Sequence, residues 1–148
     1  MERKIIPEIV KRQAISSLKA ENTAFEAATM MTSADIGAVV ITGKDDKVIG
    51  IVTERDITRR VISKGLDPQT TPVSEIMTKN PESLAPDDSA RDALELMQAR
   101  NFRHLPVVED GICVAMVSVR DLYKAVLSTL EESIRETEAF VFGDRYGA

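Results

Sequence analysis

The sequence predicts an α/β (α+β) fold built from two pseudo-symmetric β-α-β-β-α halves packed sheet to sheet. Sliding the chain by 66 positions aligns residues 17–41 with 83–107 without a gap, with identities at Ser17/Ser83, Leu18/Leu84, Ala24/Ala90, Ala27/Ala93 and Met31/Met97. After one residue is lost from a loop, an offset of 65 aligns 49–57 with 114–122; there Val52/Val117, Arg55/Arg120 and Asp56/Asp121 are identical and Thr53/Ser118 equivalent. Within each copy, stripes of helical period alternate with short β-branched runs, the pattern of a mixed fold. A repeat of this size sets the unit to be explained before any single motif is weighed.

In order along the chain, residues 1–13 form an N-terminal segment and 14–66 the first repeat. Thr23-x-x-Glu26 has the form of a capping box, and behind it Ala24, Ala27, Ala28 and Met31 make the apolar stripe of a helix. The β-branched run 38–41 suits a buried strand; the turn 43–46 returns the chain to a strand at 48–52, and a second helix starts near Glu54. A polar linker, 67–76, ends in a short helical piece near 73–77. The second repeat, 77–127, carries the same signals: Ser89-x-x-Asp92, then Ala90, Ala93, Leu94 and Met97, a strand at 105–108, the turn Asp110-Gly111, a strand at 113–117, and a helix from near Val119. Neither half, at roughly 60 residues, buries enough surface to be comfortable alone, so the two are expected to share one core. Residues 128–148 extend the last helix to about Phe140. Its apolar row of Leu122, Val126, Leu130 and Ile134 outruns what one small module covers, and a homodimer contact is expected there.

Composition removes several functions. The 148 residues are 43% apolar and 29% charged, with a formal net charge of −5, one His and one Cys. One Cys makes no internal disulfide, and His104 with Cys113 supplies neither a zinc site nor more than one member of a catalytic triad. No metal site and no enzymatic activity are expected, because no acid–base pair stands out. The acid excess argues against nucleic acid as a partner. No apolar run reaches the ~20 residues of a membrane span. The opening Met1-Glu-Arg-Lys-Ile-Ile-Pro7 lacks the apolar core of a signal peptide, so a cytoplasmic location is the default expectation.

Gly50-Ile-Val-Thr-Glu-Arg-Asp-Ile57 and Ala115-Met-Val-Ser-Val-Arg-Asp-Leu122 resemble the G-h-x-[ST]-x-x-D-h signature (h, hydrophobic) of cystathionine-β-synthase-type (CBS) domains. Ile36-Gly-Ala-Val-Val40 and His104-Leu-Pro-Val-Val108 are similar to that family's strand after the first helix, and Ile76-Met-Thr78 followed by Pro81 to its approach to a second repeat. From about residue 10 to 125 the chain therefore resembles a tandem pair of CBS domains, a Bateman module. It departs from the pattern in Ala115 for the signature Gly, in Val40 against Pro106, and in Gly37-Ala38 against Arg103-His104.

The resemblance implies a regulatory module that binds adenine nucleotides (AMP first, with ADP, ATP or an NAD-like ligand as options) in two clefts, with no catalytic cofactor. One cleft would use Asp121, Ser118, Arg120, Arg103 and His104, with Ser16, Ile36 and Ala38 around the base. The other would use Asp56, Thr53 and Arg55, with Thr78, Phe102 and the backbone near His104. The residue types suit the chemistry. A carboxylate at a helix start accepts from ribose hydroxyls, a hydroxyl three residues earlier donates to phosphate beside helix amides, and arginines add charge. With Arg103, Ser118 and Arg120 converging, the Asp121 cleft is expected to be the better phosphate site. The Asp56 cleft is expected to hold only Arg55 and Thr53. Plainer roles stay open: Asp56, Asp121, Thr53 and Ser118 as helix caps, Arg55 and Arg120 as solvated charges, His104 as a structural histidine, Cys113 as a small buried hydrophobe. Output would pass through the homodimer or an unknown effector protein; the alternative function is a ligand-free interaction scaffold.

Overall fold

In the computed structural model, which describes residues 3–146, both long helices of the repeats start on the boxes their sequences carry. The outermost residues of the N-terminal segment and of the C-terminal extension lie outside the described residues. Helix α1 (Ala24–Ala34) begins where the Thr23 hydroxyl accepts from the Glu26 amide at 3.2 Å, and the Glu26 carboxylate accepts in return from the Thr23 amide. Helix α3 (Ala90–Arg100) repeats this with Ser89 and Asp92. Each helix ends on a left-handed residue, Asp35 (φ 53°) or Asn101 (φ 55°), types that tolerate that region at little cost.

In the first repeat β1 (Ser17–Lys19) runs parallel to β2 (Ala38–Thr42), with Leu18 opposite Ile41, and β2 pairs antiparallel with β3 (Val48–Thr53). In the second repeat the parallel contact thins to a single bridge, Leu84 to Val107, each residue 66 positions on from its counterpart. Strands β5 (His104–Glu109) and β6 (Ile112–Ser118) form a hairpin across Asp110-Gly111. Both turn residues have positive φ, as the tight two-residue turn that matches strand twist requires. Between the repeats, β4 (Thr78–Lys79) joins the edge of β3, so the sheets are β1-β2-β3-β4 and β5-β6. A helical turn α2 (Glu54–Asp56) continues in wider turns to Ile62, and α4 (Val119–Tyr146) closes the chain.

The expectation of one shared core is corrected. Buried apolar side chains form two clusters, one per repeat, because each sheet is covered on one face by its own helices. Each cluster is completed by the segment leading into the other repeat. Ile5, fully buried, enters the second core with Ile6, Ile9 and Val10 beside it, while Val73 and Ile76 enter the first with Met77 beside them. Backbone bonds seal the exchange. Ile5 N–H donates to Asp88 O (2.8 Å) and Gln13 N–H to Val114 O (3.1 Å); Val73 N–H donates to Asn22 O (2.7 Å) and Asn80 N–H to Ile49 O (3.1 Å). The sequence does hold a sign of this, since Glu8-Ile9-Val10 and Glu75-Ile76-Met77 lie 67 positions apart.

Strand alternation places Val40, Ile51 and Pro106 on the faces turned away from these cores, yet all three are buried. There the repeats meet sheet to sheet, joined also by Val48 N–H to Gly111 O at 2.9 Å. The row expected along the last helix does run past the core. Leu122 is buried and Val126 half-buried, whereas Leu130 and Ile134 are 54% and 57% exposed. Four residues turn an α-helix by about 400°, so an every-four row creeps around it by about 40° a step and leaves the core face.

Candidate functional site

At the end of β3 the Thr53 amide and hydroxyl both donate to Asp56 Oδ2 (2.9 and 3.2 Å), and Thr53 Oγ1 accepts from the Asp56 amide (3.3 Å). At the end of β6, Ser118 and Asp121 make the same three contacts at 2.8, 3.0 and 3.2 Å. The capping role is therefore filled, and it uses one carboxylate oxygen of each Asp. The second oxygen differs between the copies. Asp56 Oδ1 lies 3.5 Å from Arg60 Nε, while Asp121 Oδ1 has no hydrogen-bond or ion-pair partner among the described residues.

Each corner opens on a cleft between the repeats. The Asp121 cleft, about 1050 Å³, is lined by Ser118, Arg120, Asp121, Arg103 and His104 together with Ser16, Ile36 and Ala38. The Asp56 cleft, about 590 Å³, is lined by Thr53, Arg55, Asp56, Thr78 and Phe102, again with Arg103 and His104. All the residues singled out from the sequence thus fall into these two spaces, whose sizes are of the order of small-molecule sites.

The charge expected of the Asp56 cleft is corrected. Besides Arg55 and Arg103 it holds Arg59, Arg60 and Arg100, giving five arginines against Glu54, Asp56 and Glu82. The Asp121 cleft balances Arg103, Arg120 and Lys124 against Asp35, Glu54 and Asp121. The three additional arginines lie outside the signature, on the turns after Asp56 and at the end of α3, so the motif does not point to them. Several are already engaged: Arg60 donates to Ile76 O (2.9 Å), Arg55 to Asn101 O (3.2 Å), and Arg100 pairs with Glu82 (3.3 Å).

Gly37, Glu54, Arg103 and His104 border both clefts. A Cβ on Gly37 would sit 2.6 Å from Glu54 Oε1 and 2.9 Å from the His104 ring, so the first repeat carries glycine where the second carries Arg103. Burial pushes the His104 imidazole below its ordinary pKa, against the opposing pull of Glu54 and Asp121. Cys113 is half-buried, with Sγ donating to Ala115 O at 3.1 Å and its thiol pKa raised by burial. Among the described residues no group of three or more His, Cys, Asp or Glu is placed to hold a metal ion, and no helix is long and apolar enough to cross a membrane.

The CBS domain family matches residues 6–63 and 73–128. The chain belongs to the CBS-domain family. Both CBS repeats include the lead segment that crosses to the other repeat's core. CBS pairs are regulatory modules, generally without catalytic activity of their own. The CBS domain-containing protein CBSCBSPB5 of Arabidopsis thaliana is 38% identical over 117 residues, which cover 79% of this chain and 21% of that protein. The chain thus spans about a fifth of the length of that plant relative. Among solved structures, an uncharacterized conserved protein from Pyrococcus horikoshii superposes with a TM-score of 0.75 at 30% identity, covering 85% of this chain and 93% of the other. The CBS domain protein PAE2072 from Pyrobaculum aerophilum, solved in complex with AMP, gives 0.73 at 32% identity, covering 84% of this chain and 96% of that one.

Proposed function

We propose that this CBS pair is a regulatory module that binds adenine nucleotides between its repeats and reports adenylate state through a homodimer or a partner protein. The observation that carries this reading is the Asp121 corner. Its carboxylate caps α4 with one oxygen and leaves the other without a protein partner among the described residues, in a cleft also lined by Ser118, Arg120 and Arg103, which suit a phosphate, and by Ile36 and Ala38, which suit a base. The AMP complex of the 32% identical neighbour supports AMP as the first ligand to try. The Asp56 cleft, with more arginines in less volume, suits a nucleotide with more phosphates, such as ADP or ATP. A nucleotide contacting both repeats shifts their relative orientation only if it binds one arrangement better.

The scaffold reading is favoured by one observation, that both oxygens of Asp56 already have protein partners. Titration calorimetry of the full chain with AMP, ADP, ATP and NAD separates the two. The nucleotide reading expects saturable heat with at least one of them, lost in Asp121→Asn for AMP and in Arg59→Gln/Arg100→Gln for ATP. No heat with any of the four would leave the scaffold.

A further inference from the structure

Helix α4 has two apolar faces. Leu122 and Ala125 press into the protein's own second core, and a stripe roughly a third of a turn away carries Tyr123, Leu127, Leu130, Ile134, Thr137 and Val141, all exposed. The spacings along that outer face are 4, 3, 4, 3 and 4, the heptad rhythm of a coiled-coil seam. Thr137 is the one polar member, and its hydroxyl is satisfied by Ser133 O at 2.9 Å. Every residue from 131 to 142 is exposed, and the one ion pair from this stretch to the rest of its chain among the described residues is Glu132 with Arg3 at 3.5 Å. A contiguous apolar stripe left facing water marks an interaction surface, so the segment calls for a covering partner.

The geometry points to a second copy of the same helix, paired antiparallel. With the helices reversed, Leu130 of one copy meets Ile134 of the other, Leu127 meets Thr137, and Tyr123 meets Val141, so every seam position finds a partner. Lys124 and Glu138 flank the seam on one edge. Reversal sets Lys124 of each copy opposite Glu138 of the other, twice by symmetry, and on the other edge sets Val126 opposite Phe140. A parallel pair would instead set Val126 against Glu131 and Ser133 against Glu138, with no opposite charges facing. The one like-charge contact of the antiparallel pair is Glu131 with its own copy at the two-fold axis. Tyr123 and Leu127 are 64% and 60% exposed at the end of α4 nearest the body of the protein, so that body leaves room for the partner helix.

The test uses the full chain without nucleotide, which keeps it separate from the fate of the nucleotide reading. Sedimentation equilibrium is expected to give a dimer, and Leu130→Asp/Ile134→Asp a monomer with unchanged helicity, since neither side chain supports the fold of its own chain. Glu138→Lys is expected to weaken dimerisation at least tenfold, and Lys124→Glu with Glu138→Lys to restore it. Direction is read by mixing Tyr123→Cys and Val141→Cys chains, each in a Cys113→Ala background, under mild oxidation. Antiparallel pairing gives the mixed 123–141 disulfide. A monomeric full chain, a dimer that survives the double aspartate variant, or crosslinks of 123 only to 123 and 141 only to 141 would overturn the proposal.

Discussion

The Asp56 and Asp121 clefts are copies of one backbone corner, and they diverge in the side chains set around it. Where the Asp56 side carries Arg60 and Arg100, the repeat offsets place Ala125 and Ala34, while Gly37 and Arg103, matched across the repeats, border both clefts. The hydrogen-bonded corners themselves differ by no more than 0.2 Å in any of their three contacts. Capping groups are held to type because an uncapped helix start loses about 1 kcal/mol. Side chains that only border a cleft carry no such constraint. The duplicated corner therefore preserves a place for a ligand, while charge is free to assign a different ligand to each copy.

The sharpest way to break the comparison is to neutralise each carboxylate. Asp121→Asn retains an acceptor for Ser118 but removes the open anionic oxygen. If two ribose hydroxyls donate to it, each bond to a charged group contributes about 1.5–3 kcal/mol, so AMP affinity is expected to fall roughly a hundredfold or more. Asp56→Asn is expected to leave AMP affinity within about twofold, because its second oxygen already faces Arg60. Calorimetric titration of both variants decides it, and equal losses would mean that the clefts are not distinct.

A second contrast concerns how the lead segments cross the sheets. A Cβ on Gly50 would overlap the Met77 side chain, including Met77 Cβ at 3.2 Å, so the flexible end of the methionine cannot swing clear on its own. The second repeat has Ala115 at the matching position and the shorter Val10 in place of Met77. Gly50→Ala is expected to destabilise by about 1–3 kcal/mol, the usual range for overpacking. Adding Met77→Val, which reproduces the second repeat's pair, is expected to recover most of that loss. Urea unfolding of the single and double variants measures the coupling, and strictly additive effects would show that the two positions do not share space.

Legibility in the sequence followed how local each signal is. The capping boxes, the Asp-Gly hairpin and the left-handed stops at Asp35 and Asn101 depend on residues a few positions apart, and the first two could be read directly. The residues brought to each cleft were legible through resemblance to a family. The exchange of lead segments left only the echo of Glu8-Ile9-Val10 in Glu75-Ile76-Met77, because that echo does not say which core each segment enters, and Ile5 joins the core of Leu84, far along the chain. Arg59, Arg60 and Arg100 were missed for a related reason: the motif ends at Asp56, and only the fold brings the end of α3 beside it. Along α4 the row of Leu122, Val126, Leu130 and Ile134 could be read, but not where it leaves the core, since an every-four count ignores the helix's own rotation.

The smallest expected effect tests the wall the clefts share. His104 stands there where the first repeat has Ala38, and it is the chain's only histidine. The groups facing it are Glu54, Asp121, Arg103 and Arg55, and burial outweighs the carboxylates in lowering its pKa. The unfolded chain therefore binds more protons than the folded one as pH falls through the ordinary imidazole value of 6.5. Stability is expected to decline over that window and to level off below the folded pKa. The slope is limited to about 1.4 kcal/mol per pH unit by the single proton involved. Carboxylates titrate mostly below this range and Cys113, with its pKa raised, above it. Urea unfolding between pH 7.5 and 5.5 is expected to show the decline in the native chain and a flatter profile in His104→Gln. The same decline in both proteins would show that other groups carry it, and a gain in stability on acidification would place His104 in a wetter and more acidic setting than the wall between Gly37 and Glu54.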